Sequence, residues 1–113
     1  MSLERIFKTL VILGLSQTDA RMYIFLALKG PDRVASIVKN LRISEQQIYR
    51  SLKHLQDRGI IVSDPEIMNR FSALPFEEAL KLLIRKEKEQ TEVMRKTLFS
   101  TWKSMMKKKS KTK

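Results

Sequence analysis

Apolar residues recur on a helical period through most of this chain and drop out of it at a few well-spaced breaks. Leu3, Ile6, Phe7, Leu10, Val11 and Leu13 predict a first helix, which Gly14 ends. Ser16-Gln17-Thr18-Asp19 has the form of a capping box with Asp as the reciprocal acceptor. It opens a second helix to Lys29, with Ala20, Tyr23, Ile24, Ala27 and Leu28 along one face, and Gly30-Pro31 stops it. A short third helix is expected over 33–41, with Val34, Ile37, Val38 and Leu41 apolar and Asp32 as N-cap. Arg42-Ile43 makes a tight turn. Ser44-Glu45-Gln46-Gln47 then gives a full capping box for a fourth helix over 45–57, whose buried stripe is Ile48, Leu52 and Leu55 and whose stop is Gly59.

The period then changes. Ile60-Ile61-Val62 is short and β-branched and predicts a strand, and Arg70 to Ala73 predicts its return after a loop containing Pro65. Pro75 opens a last helix, with Glu77 and Glu78 in the first turn where the helix dipole favours acids. It is expected to reach Met106; those 31 residues would span roughly 46 Å, more than a small domain is wide.

Two short helices joined by a tight turn, followed by a strand, a loop and a strand, predict a winged helix-turn-helix: mostly α, with a small β-hairpin and a long C-terminal dimerisation helix. The expected organisation is a DNA-binding domain over 1–75, a dimerisation helix over 76–106 and a disordered basic tail over 107–113. The third and fourth helices would pack through Val34, Ile37, Val38, Ile48 and Leu52. That leaves Glu45, Gln46, Tyr49, Arg50 and Lys53 on the open face of the fourth, and a helix of this size fits the major groove of DNA. Gln46 can pair with adenine and Arg50 with guanine, while Ser44, Tyr49 and Lys53 suit phosphates. The expected DNA-binding set is Arg42, Ser44, Gln46, Gln47, Tyr49, Arg50, Lys53, Arg58 and Arg70. Leu83, Val93, Met94, Leu98, Trp102 and Met105 form the expected dimerisation seam, because an isolated helix cannot bury them.

Charge strengthens this picture. The 113 residues carry 23 Lys and Arg against 12 Asp and Glu, a formal net charge of +11, which favours an anionic partner. Residues 1–75 hold 11 basic and 7 acidic groups, and residues 76–113 hold 12 and 5. The chain has no cysteine and one histidine, His54, so disulfides and thiolate or His-rich metal sites are excluded, and no catalytic constellation or cofactor is expected. Without a long uncharged apolar run or a signal-like N-terminus, the expectation is a cytoplasmic protein with no membrane partner. Phe7, Tyr23 and Phe25 are expected in the core, and His54 at solvent or a phosphate.

Several stretches together resemble a known family. Leu13-Gly14-Leu15-Ser16, Ala20-Arg21-Met22-Tyr23, Ile48-Tyr49-Arg50-Ser51-Leu52, Arg58-Gly59-Ile60-Ile61 and Phe71-Ser72-Ala73-Leu74-Pro75 look like the DNA-binding domain of TrmB-type regulators, winged-helix transcription regulators that are mostly archaeal. Ile43 to Val62 also resembles MarR-type regulators. With the open helix face and the uncovered apolar set, the leading expectation is a sequence-specific DNA-binding regulator that reads an inverted repeat as a homodimer, with double-stranded DNA and a second copy of itself as partners. It departs from the family at Arg42, where a small residue is usual, at Ser44-Glu45, and in the acidic wing residues Asp64 and Glu66. A chain of this length is not expected to hold the sugar-binding domain of longer members, so sugar sensing is not carried over, and the sequence indicates no effector. Two other readings fit the same fold: a winged-helix protein-protein module, which would need apolar anchors on the open face, and a non-specific architectural DNA binder.

Overall fold

A computed structural model describes residues 2–111, with side-chain placement through residue 108. Five helices and a small sheet follow the order α1 (Leu3–Ile12), α2 (Gln17–Lys29), β1 (Asp32–Arg33), α3 (Val34–Leu41), α4 (Glu45–Asp57), β2 (Ile61–Ser63), β3 (Arg70–Ala73) and α5 (Phe76–Lys111). The sheet is antiparallel with strand order β1-β3-β2; Asp32 pairs with Phe71 on one side of β3, and Val62 with Ser72 on the other. Among the described residues no helix is long and apolar enough to cross a membrane.

α2 is the central helix. Its capping box is complete: the Ser16 hydroxyl accepts from the Asp19 amide at 3.0 Å, and the Asp19 carboxylate accepts from the Ser16 amide at 3.2 Å. Packing on α1, α3, α4 and β3 gives α2 a wide buried arc of Asp19, Ala20, Met22, Tyr23 and Leu26. The expected face is therefore partly wrong. Leu28 is 69% exposed, whereas Met22 and Leu26 are fully enclosed. Tyr23 donates its hydroxyl to the Leu74 carbonyl at 2.6 Å, tying α2 to the segment leading into α5; burial pushes the phenol up to about 12. Phe7 and Phe25 are only half-buried.

β1 replaces the start expected for α3. Asp32 sits in the strand, Arg33 is the N-cap, and no side chain caps that helix. The Asp32 carboxylate instead gathers Lys29 at 3.1 Å, the Ser36 hydroxyl at 2.7 Å and the Arg33 amide at 2.8 Å, linking the end of α2 to α3. Burial raises this carboxyl, but the hydrogen bonds from Ser36, Arg33 and Lys29 outweigh it, and its pKa lies below the usual value. A depressed folded-state pKa means stability that is present above the unfolded-state value and is lost as pH falls through the folded one. Asp32→Ala should therefore cost about 1–2 kcal/mol at neutral pH in urea unfolding. The gap to wild type should close below about pH 4; a gap independent of pH would show that the carboxylate charge is not what holds this corner.

The core joins the four shorter helices to β2 and β3: Leu10, Leu15 and Ala20 share it with Ile37, Ile48, Leu52, Leu55, Ile61 and Phe71, and the start of α5 closes it with Ala79 and Leu83. Beyond that start α5 leaves the domain. Its 36 residues run roughly 54 Å, and the molecule measures 66 × 32 × 26 Å. The helix does not stop at Met106 as expected but continues through Lys111, so a disordered tail from 107 is not observed; residues 112 and 113 lie outside those described. Lysine is a good helix former, and cations suit a helix C-terminus.

Candidate nucleic-acid interface

The α3–α4 turn is built without glycine. Arg42 takes the left-handed conformation at φ 55° and ψ 43°, and its amide donates to the Val38 carbonyl at 2.9 Å. A side chain in that region is strained by roughly 1–2 kcal/mol. The Arg21 guanidinium offsets some of this strain by reaching across from α2 to the Leu41 carbonyl at 3.0 Å. Ser44 then caps α4, accepting from the Gln47 amide at 3.3 Å. Only this half of the expected capping box forms. The Ser44 oxygen is committed to the cap, and its hydroxyl proton stays available to a phosphate.

Ile48, Ser51, Leu52 and Leu55 bury one side of α4 against α2 and α3. The helical period places Gln46, Arg50 and Lys53 on the opposite side, where all three are exposed and make no hydrogen bond or ion pair within the described chain. Tyr49, 41% exposed, lies on one flank, in a cleft of about 450 Å³ between α3, α4 and the wing that also takes in Glu45, Arg33 and Met68. Gln47 and His54 lie on the other flank, in a cleft of about 240 Å³ shared with Arg50 and with Ser16 and Thr18 at the N-terminus of α2. His54 Nδ1 stands 3.8 Å from Oδ1 of the buried Asp19, an oxygen that has no hydrogen-bond partner.

Two of the expected DNA-contacting arginines are engaged inside the chain. Arg58 donates to the Gly14 carbonyl at 3.0 Å, and Gly14 itself has φ +107°, so Arg58 clamps the α1–α2 turn to the end of α4. Arg70 Nε stands 3.7 Å from the Asp64 carboxylate in the wing. The Glu66 and Ile67 amides donate to Asp64 at 2.8 and 3.0 Å; these bonds and the nearby Arg70 hold its carboxyl below the usual range. Arg70 is thereby paired within the wing, though its Nε makes no hydrogen bond. Arg42 is exposed beside α4. Sequence reasoning missed Ser16, Thr18 and Arg33 as neighbours of this face. The first two were detectable, because their capping box aims a helix N-terminus, whose amides suit phosphates, toward α4.

The expected dimerisation residues divide. Leu83 is 1% exposed and belongs to the core of its own domain, so it is not a seam residue. Val93, Met94, Leu98, Trp102 and Met105 are all bare along the projecting part of α5, with Phe99 and Met106 beside them.

A helix-turn-helix with a β2–β3 wing packed behind it defines a winged-helix protein. The family model described as "Sugar-specific transcriptional regulator TrmB" matches residues 10–77, more than half of the chain, and the chain belongs to that family of transcriptional regulators. No curated protein matches the sequence. The fold is similar to that of TrmBL2, an archaeal chromatin protein whose structure shows a novel mode of DNA binding. That similarity has a TM-score of 0.78 at 18% identity and covers 95% of this chain. The present chain spans 42% of the length of that protein.

Proposed function

We propose that this chain is a sequence-specific DNA-binding regulator that acts as a homodimer. Residues 1–75, closed by the start of α5, form the reading unit, with α4 in the major groove and the β2–β3 wing beside the backbone, and the projecting part of α5 joins two copies. The observation that carries this reading is the free outward face of α4. Gln46, Arg50 and Lys53 are uncommitted within the chain, on a helix anchored by a buried stripe and a capped N-terminus. A protein-binding face would present apolar anchors there instead. The arginines already paired, Arg58 and Arg70, serve as clamps rather than as primary phosphate contacts, which moves phosphate contact toward Arg42, Ser44, Lys53 and the α2 N-terminus.

The test is selection of bound sequences from a random double-stranded pool; an enriched inverted repeat supports the reading. The likeness to an archaeal chromatin protein and the net charge of +11 favour a second reading, non-specific architectural binding, for which no sequence would be enriched. Point variants separate the two at residue level. Arg50→Ala should cost about 1–3 kcal/mol on the selected site and relax preference at one base pair. Lys53→Ala should weaken binding to every sequence alike and reduce the salt slope by about 1. Equal losses on selected and random DNA for both variants would assign Arg50 to the backbone.

A further inference from the structure

One series of positions along α5 includes the bare apolar side chains Ile84, Met94, Leu98 and Met105. Leu80, Ile84, Glu87, Thr91, Met94, Leu98, Thr101 and Met105 follow one another at intervals of four and three, the spacing that keeps one seam facing a partner helix. Leu80 and Glu87 are half-buried beside their own domain, whereas Met94, Leu98, Trp102 and Met105 are 58–65% exposed. A second copy can cover that segment in either direction, because the apolar stretch 93–105 overlaps its own copy equally well parallel or antiparallel. Apolar burial therefore does not choose the direction.

Charge does. Residues 76–92 carry four basic and five acidic side chains, while residues 93–111 carry seven basic and none acidic. A parallel pair lays the two lysine-rich halves side by side over their whole length. Packed helices lie roughly 8–10 Å apart, within about one Debye length at physiological salt, so that repulsion is felt. We propose that the two α5 helices pair antiparallel, centred on Leu98, so that the lysine-rich end of each lies along the Glu87–Glu92 stretch of the other. Thr91 then faces Met105 of the second copy, Met94 lies against Trp102 at the margin of the seam, and the two winged domains sit at opposite ends, with the starts of α5 roughly 66 Å apart. This rests on the homodimer reading above.

The chain has no cysteine, so single introduced thiols report geometry without background. Sedimentation equilibrium of the wild-type chain tests the dimer first; a monomer throughout would overturn the homodimer reading itself, and the pairing with it. Leu98→Cys should cross-link to itself with a short bismaleimide. Thr91→Cys mixed with Met105→Cys should cross-link to each other. Met105→Cys alone should not, because its two copies would stand roughly 21 Å apart in the antiparallel pair. Self-linking of Met105→Cys with no Thr91–Met105 product would make the pair parallel. A dimer in which Leu98→Cys does not link would place the seam elsewhere, and either result overturns the proposal. Circular dichroism of each variant guards against misfolding, and these positions are solvent-exposed in the single chain.

Discussion

Ile48→Ala should destabilise the winged domain by about 2–5 kcal/mol, against a total stability on the order of 5–15 kcal/mol for a domain of this kind. Ile48 is completely enclosed, one turn into α4, where α2 and α3 both pack. Truncation there removes apolar burial and leaves a cavity that three helices cannot readily close. The same side chain fixes the roll of α4 about its axis, and so decides whether Gln46 and Arg50 point outward. Urea unfolding followed by circular dichroism measures the loss. Gln46→Ala, exposed and unbonded on the opposite side, should stay within about 0.5 kcal/mol of wild type. Comparable effects for the two variants would mean that α4 is not anchored as described. Ile48→Ala should also weaken DNA binding at temperatures where the domain remains folded, because a loosened helix presents its side chains less consistently.

The elements legible from the sequence are those specified by neighbours in the chain. α4 carries its own start at Ser44, its own apolar stripe and its own stop, and its bounds agree with the structure; the capping box of α2 and the return strand at Arg70 are of the same kind. The misreadings share a different cause. β1 is two residues long and exists only because Asp32 and Arg33 lie beside β3, a pairing that no local pattern encodes. A single apolar stripe places Leu28 inward and leaves out Leu26, whereas a central helix with neighbours on several sides buries a wider arc. Leu83 and Leu98 are the same residue type on the same helix. Leu83 lies in the core cluster that the start of α5 joins, whereas Leu98 lies beyond it and is bare. Among the candidate DNA contacts, charge and helical period found the open face of α4. They did not reveal that Arg58 and Arg70 are held by Gly14 and Asp64, since Gly14 lies in the distant α1–α2 turn and Asp64 across the wing hairpin.

Leu98→Asp should separate dimerisation from folding. The side chain is 65% exposed in the single chain, so the charge costs the winged domain almost nothing, and the circular dichroism spectrum and urea midpoint should match wild type. In the pair, two aspartates would be buried facing each other in an apolar seam without partners. A buried hot-spot substitution costs about 2 kcal/mol or more, and two copies in one interface raise the dimer dissociation constant by roughly 10³-fold or more. DNA binding should follow. Two linked winged domains on two half-sites gain on the order of 10² to 10⁴ over one alone, and a monomeric variant forfeits that gain while keeping the single half-site affinity set by α4. Sedimentation equilibrium reads the first effect, and fluorescence anisotropy on full-site and half-site duplexes reads the second. Trp102, the only tryptophan, supplies a third readout, because its emission should move toward that of a solvent-exposed indole as the pair comes apart. Ser100→Asp, the same charge change on the far face of the helix, should alter none of these. A Leu98→Asp protein that remains dimeric and still binds the full site tightly would mean that the bare face of α5 is not what joins the two copies.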